Sequence, residues 1–233
     1  IISEEEAVMN ENSRSEGTKT WHYKADNVRD FAFVSSRKFI WDAQAVQLNQ
    51  KTTMAMSFYP KEGNPLWEKE STKAVVNTLK TYSEMTIEYP YPVAISVHTA
   101  DIGMEYPMIC FNYGRPNKKG SYSAMTKWSM ISVIIHEVGH NFFPMIINSD
   151  ERQWSWMDEG LNTFLETLTS MQWYPEMPIR SGTPSTIKDY MAGEKDFMRP
   201  IMTNSENILY FGHNAYSKPS AALFLLRETI MGH

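Results

Sequence analysis

The sequence predicts an α+β fold, because strand-like segments crowd its first half and long helical patterns its second. Two observations carry this. Aromatic-rich stretches with two-residue alternation recur between Phe31 and Phe111, and two strong helical patterns follow after Thr126. A third is bulk: 233 residues, 42% of them hydrophobic and 21% charged, suffice for one large domain or two small ones with a real core.

In order along the chain, residues 1–20 are polar and acidic, with the run Glu4-Glu5-Glu6, and read as a hairpin or loosely held arm. Phe31–Val34, Phe39–Trp41 and Thr53–Phe58 alternate as strands do. Tyr59 to Pro65 is loop chemistry. A helix is expected over roughly Glu68 to Glu84, with Val75, Leu79 and Tyr82 on one face, until Tyr89-Pro90-Tyr91-Pro92 breaks it. Val93–Val97 and Met108–Phe111 read as short strands separated by residues 101–107. Arg115 to Ser123 is a surface loop. Helices follow over about Thr126–Phe142, stopped by Pro144, and Met157–Met171. Residues 181–205 are irregular, and a last helix spans about Lys218–Met231. No internal repeat or low-complexity tract is present.

A formal net charge of -5, with both signs interleaved, leaves no basic footprint, so no nucleic-acid partner is expected. No apolar run reaches membrane-spanning length. The lone Cys110 excludes an intrachain disulfide and a cysteine-rich zinc site, and within Met108-Ile109-Cys110-Phe111 it reads as a buried hydrophobe. The chain starts at Ile1 without an initiator Met and is read as a piece of a longer protein. The compartment stays open, with periplasmic or secreted favoured over cytoplasmic.

Residues 136–140 read His-Glu-Val-Gly-His. On a helix, a spacing of four puts both imidazoles on one face, one turn apart, where both reach one tetrahedral Zn²⁺. The apolar run Trp128 to Ile135 before them suits a buried helix, and Gly139 lets another element approach closely. A catalytic zinc needs a third protein ligand and an open position. Glu159, separated from His140 by eighteen intervening residues and opening the next helix, is the candidate. Glu137, on the same side as the histidines, is the candidate general base. Two histidines buried merely as core would be costly on so apolar a helix. Asp158 and Asn162 are candidates to support the ligands, with helix capping an equal reading for Asp158. His22, His98 and His213 have no partner at ligand spacing.

This block, with Glu159, resembles the gluzincin aminopeptidases typified by aminopeptidase N and leukotriene hydrolase. Ile102-Gly103-Met104-Glu105-Tyr106 resembles their G-x-M-E-N exopeptidase motif, Trp156-Met157-Asp158-Glu159-Gly160 their W-L-N-E-G, and Tyr216-Ser217-Lys218 their Y-x-K-G. Ile102, Tyr106 and Pro219 depart from the pattern. The resemblance implies a thermolysin-like zincin catalytic domain over residues 46–233, a mixed sheet lobe on a helical lobe. Residues 1–45 would be the remnant of a preceding β-rich domain. It implies one Zn²⁺ on His136, His140 and Glu159, Glu137 as base, and Tyr216 as donor to the oxyanion. Glu105, with Gly103 and Met104, would bind a peptide substrate through its free N-terminus. Alternatives are a zinc endopeptidase with the same core chemistry and a catalytically inactive zinc-binding member; an intact Glu137 speaks against the last.

Overall fold

The computed structural model describes residues 21–232. The arm expected over residues 1–20 lies outside them. Contacts divide the chain into Ile1–Phe31 and Ala32–His233, and the described part of the first unit, residues 21–31, has no helix or strand.

The second unit holds a five-stranded mixed sheet in the order β1-β2-β3-β5-β4: β1 (Phe39–Gln47), β2 (Thr52–Pro60), β3 (Val93–His98), β5 (Ile109–Asn112) and β4 (Met104–Tyr106). β2–β3 and β3–β5 run parallel, whereas β1 and β4 lie antiparallel at the edges. Period-2 alternation in β2 buries Thr53, Ala55, Ser57 and Tyr59 and leaves Met54, Met56 and Phe58 half-buried. β3 is buried on both faces except at Ile95, as a parallel central strand requires.

Helix α1 (Leu66–Met85) crosses between β2 and β3 and buries Ala74, Val75, Leu79 and Tyr82. Small polar residues bring it close to the sheet: Ser71 Oγ lies 2.7 Å from Ser57 Oγ, and Thr72 donates to Ser57 over 2.9 Å. Helix α2 (Ala124–Gly139) is capped by Ser123, whose hydroxyl accepts from the Thr126 amide at 3.0 Å. Helix α3 (Leu161–Trp173) extends the wider turn Trp156–Gly160. The short α4 (Lys188–Ala192) lies in the irregular stretch, and α5 (Lys218–Leu225) continues a turn over Gly212–Ser217.

Three expectations need correction. Residues 31–36 form no strand, and Phe31 and Phe33 are exposed. Alternation supplies a face but not a partner, and β1 already pairs with β2 from Phe39 on. Conversely, the separator before β5 contains strand β4, too short for a periodic signal. Helix α2 also ends earlier than expected: regular helix stops at Gly139, a wider turn runs through Ile146, and Phe143 leaves helical dihedrals (φ -136, ψ 109) just before Pro144.

Candidate metal centre

Helix α2 presents the site because its other faces are committed. Met130, Ile131, Ile134, Ile135 and Val138 are fully buried, which leaves His136, Glu137 and His140 to face the cleft end. His140 Nε2 lies 3.1 Å from His136 Nε2. Glu159, carried by the turn that opens α3, places Oε2 2.9 Å from His136 Nε2 and 3.3 Å from His140 Nε2. Ligands about 2.0 Å from a tetrahedral zinc stand about 3.3 Å apart, so these three atoms sit nearly at the spacing of one metal's ligand set. Among the described residues, His136, His140 and Glu159 form one cluster able to hold a metal ion.

The packing behind the ligands explains their placement. A side chain at Gly139 would bring its Cβ to 2.1 Å from Asn162 Oδ1 and 2.5 Å from Tyr82 Oη, so glycine is what lets α3 and α1 close on α2. Tyr82 donates to Asn162 Oδ1 over 2.7 Å, and Asn162 Nδ2 donates to the His136 carbonyl over 2.8 Å. Asn162 thus locks the third-ligand helix onto the backbone of the first ligand.

Each imidazole is held at its outer nitrogen. His136 Nδ1 lies 3.0 Å from Glu166 Oε2, and Ser132 donates to the other oxygen of Glu166. His140 Nδ1 lies 2.9 Å from the Phe143 carbonyl and 2.9 Å from Asp158 Oδ1; the ring N–H aligns with the carbonyl, and Asp158 adds charge. Such outer contacts fix which nitrogen faces the metal. Asp158 supports a ligand here, while no side chain caps the turn it belongs to. Glu166 escaped the sequence reading, although its signal was present: it follows Glu159 by seven residues, two turns along the same face.

The electrostatics match this crowding. Burial works against a charged His136, but hydrogen bonds to Glu159 and Glu166 outweigh it and raise it to about 10. His140 is likewise raised well above its usual range, against burial, by Asp158 and Glu159. Burial would raise Glu159, yet the two imidazoles hold it well below the carboxylate range. Glu137 is raised to about 7 by burial, with the two histidines pulling the other way.

Around this centre stand the remaining candidates. Glu105 sits in mid-β4, opposite Cys110, with a carboxylate oxygen within 4.8 Å of ligand atoms of His140 and Asp158. A Cβ on Gly103 would fall 2.4 Å from Glu137 Oε1, so the backbone entering β4 lies against that carboxylate. Met104 is exposed beside it. Tyr216, in the turn before α5, stacks on His136 with ring centroids 5.7 Å apart, and burial and the Glu159 charge push its hydroxyl up. Pro219 packs where a Cβ on Gly160 would come within 2.3 Å, joining α5 to the Glu159 turn. His98 lies at the end of β3 against Trp67, and His213 stacks on Tyr190; neither joins a metal-type cluster among the described residues. No helix among the described residues is long and apolar enough to cross a membrane.

A search of curated proteins finds no match. Among solved structures, a mutant of the M1 zinc metallopeptidase of Deinococcus radiodurans superposes with a TM-score of 0.60 at 18% identity, over 84% of this chain and 42% of that one. The same enzyme's mutant bound to a Tyr-Ser-Ala substrate gives 0.55 at 19% identity, over 81% and 40%. Aminopeptidase A of Legionella pneumophila, in complex with aspartic acid, gives 0.53 at 13%, over 81% and 22%. The chain thus spans less than half of each of these relatives, and at such identities they establish the fold: an α+β catalytic domain with a mixed sheet. The family model described as the peptidase family M1 domain matches residues 67–233. With a His-Glu-Val-Gly-His helix, a matching glutamate and this fold, the chain belongs to the M1 zinc metallopeptidases.

Proposed function

We propose that the protein is an aminopeptidase that removes N-terminal residues from peptides. The observation that carries this reading is the position of Glu105. Edge strand β4 holds its carboxylate within 4.8 Å of ligand atoms at the His140 end of the centre, and the backbone beside it touches Glu137. An ammonium paired with Glu105 would therefore lie about one residue from the group that handles the proton. The names of the relatives support this, one being an aminopeptidase and one a metallopeptidase seen with a tripeptide substrate.

His136, His140 and Glu159 would hold one zinc ion, which supplies Lewis acidity toward water and the scissile carbonyl. Glu137, raised by burial toward neutrality, takes a proton from water and returns it to the leaving amine. Tyr216, whose hydroxyl stays protonated, donates a hydrogen bond to the oxygen that becomes negative. Glu105 binds the α-ammonium by a charge-assisted hydrogen bond in a partly dry cleft, and Gly103 and Met104 carry the substrate-facing backbone.

The test compares matched peptides with free and acetylated N-termini on the full-length protein. The wild type should cleave the free peptides and reject the acetylated ones. Glu105→Ala should damage cleavage of the free peptides and hardly touch the acetylated ones. Ready cleavage of internal bonds in blocked peptides, with an unchanged profile in Glu105→Ala, would replace this reading by a zinc endopeptidase. Glu137→Gln should keep zinc and lose turnover by about 10²–10⁴-fold, and an unaffected rate would refute the assigned base.

A further inference from the structure

Tyr216 reaches the metal centre from the wide turn Gly212–Ser217, and that turn is tied to the irregular segment 199–205. Asn214 and Lys218 stand four residues apart and so share one face of the chain. Tyr216 lies midway between them and is turned onto His136. Asn214 Nδ2 donates to the carbonyls of Arg199 and Pro200 over 3.1 and 3.0 Å. Lys218 Nζ donates to the same Arg199 carbonyl over 2.5 Å. Asn214 is 1% exposed, and its Oδ1 has no hydrogen-bond partner among the described residues. An orphaned buried acceptor costs stability, yet turning the amide over would set that oxygen against two carbonyls, so the donors stay on the segment. The Lys218 ammonium also lies over the Tyr190 ring, 6.0 Å from its centroid, which holds it from a second side.

The same segment is moored to the third ligand. Ser205 donates its amide to the Gln153 carbonyl over 2.9 Å and its hydroxyl to Ser155 Oγ over 3.1 Å. The Ser155 amide returns a 3.2 Å bond to Ser205 Oγ. Ser155 directly precedes the turn Trp156–Gly160 that carries Glu159. The circuit closes at Gly160, where a Cβ would fall 2.9 Å from the Ala215 carbonyl, so the Glu159 turn and the Tyr216 turn already meet at their backbones. Residues 199–205 therefore join ligand and tyrosine by a second route. A hydroxyl that must meet a developing negative charge has to be held within about 0.5 Å of its productive place, and a single attachment leaves its turn free to pivot.

We propose that Asn214 and Lys218 are positioning residues for Tyr216: they hang its turn from the Arg199 and Pro200 carbonyls and so aim the hydroxyl at the scissile carbonyl oxygen. The inference rests on the reading of Tyr216 as oxyanion donor and goes beyond it, since neither residue belongs to the ligand set or to the substrate anchor. Both act through the backbone of the turn. Their removal lets the tyrosine swing while His136, His140 and Glu159 keep their own supports on α2 and α3.

The experiment uses zinc-loaded full-length protein and the free peptide that the wild type cleaves best. Lys218→Met keeps the stem and removes the donor. It should lower kcat about 10–30-fold, with KM changed less than about twofold and zinc content unchanged by metal analysis. Lys218→Arg, which restores a charged donor, should recover most of that loss, and the isosteric Asn214→Asp should lower kcat in the same way. The Lys218 variants carry the test where Asn214→Asp does not fold. The deciding measurement is the double variant: in Tyr216→Phe, which lacks the hydroxyl, Lys218→Met should cost less than about a further twofold. With Tyr216→Phe impaired, an equal loss in both backgrounds, or Lys218→Met at the wild-type rate, would overturn the positioning role. If Tyr216→Phe turns over like the wild type, the oxyanion reading fails, and the crystal structure of Lys218→Met decides the rest. A Tyr216 ring shifted off His136 there keeps the clamp, and a ring still 5.7 Å from it overturns the clamp as well.

Discussion

The molecule buries histidine in two regions and treats it in opposite ways. His98 ends β3 at 6% exposure, with Trp67 4.9 Å away ring to ring and Arg115 Nε 3.4 Å from its Nε2. His140 is buried to 1%, yet Asp158 and Glu159 surround it. Burial first, and then Arg115, lower His98 to about 4, whereas the carboxylates raise His136 to about 10 and His140 well above its usual range. Burial alone makes a histidine neutral and inert. Burial among carboxylates builds a site that wants a positive charge, which zinc supplies when both imidazoles are unprotonated. The contrast also shows what the helices contribute, since the helical site survives only while three elements stay interlocked.

The largest effect should come from breaking that interlock. Gly139→Ala drives a methyl against Asn162 Oδ1 and Tyr82 Oη, two atoms already fixed by a mutual hydrogen bond. We expect about 3 kcal/mol of lost stability and a matching loss of zinc, measured by urea unfolding and metal analysis. Gly103→Ala is the contrasting change. Its methyl meets Glu137 Oε1, the tip of a flexible side chain, and the Val133 methyl. Stability should fall by only about 1 kcal/mol while turnover collapses. Equal stability losses for the two would show that α2 is not clamped at Gly139.

An intermediate effect separates the ligands from what orients them. Glu166→Gln keeps an acceptor near His136 Nδ1 and removes its charge. Zinc affinity by chelator competition should drop about 10–100-fold with the fold intact. An unchanged affinity would make Glu166 a packing residue.

How legible was all this in the sequence? The α2 ligands announced themselves because helical geometry converts spacing directly into position, and Gly139 gave away the close approach of another helix. The fold class followed from the order of strands and helices. Strand β4 did not show, since three residues at a sheet edge carry no period, so Glu105 was found by resemblance rather than by pattern. Glu166 was readable from its seven-residue offset, but that offset alone does not tell a ligand's partner from a solvated acid. Support of the ligands was only one of two readings for Asp158, because the same residue at a helix start serves as a cap elsewhere. Phe31 to Val34 misled for the converse reason: alternation is local, but strand pairing is not.

The smallest expected effect tests the other half of the comparison. His98 is neutral in the folded protein down to pH of about 4, while an unfolded histidine takes a proton near its ordinary value of 6.5. Between those values the unfolded state binds more protons, so stability falls as pH drops from about 6.5 toward 4. At higher pH the histidine contributes no slope. Arg115 is exposed, so solvent screens its part of the shift and reduces the loss to about 1–2 kcal/mol. His98→Phe keeps a ring against Trp67 and removes the titrating group. Its stability at neutral pH should be lower or similar, but its decline between pH 6.5 and 4 should be shallower by that amount, read from urea unfolding at several pH values. The metal-site histidines are the same in both proteins, so whatever they contribute to the acid limb cancels in the comparison. If the acid limb is as steep in His98→Phe as in the wild type, burial is not what keeps this imidazole neutral, and the division between an inert and a metal-seeking histidine must be drawn elsewhere.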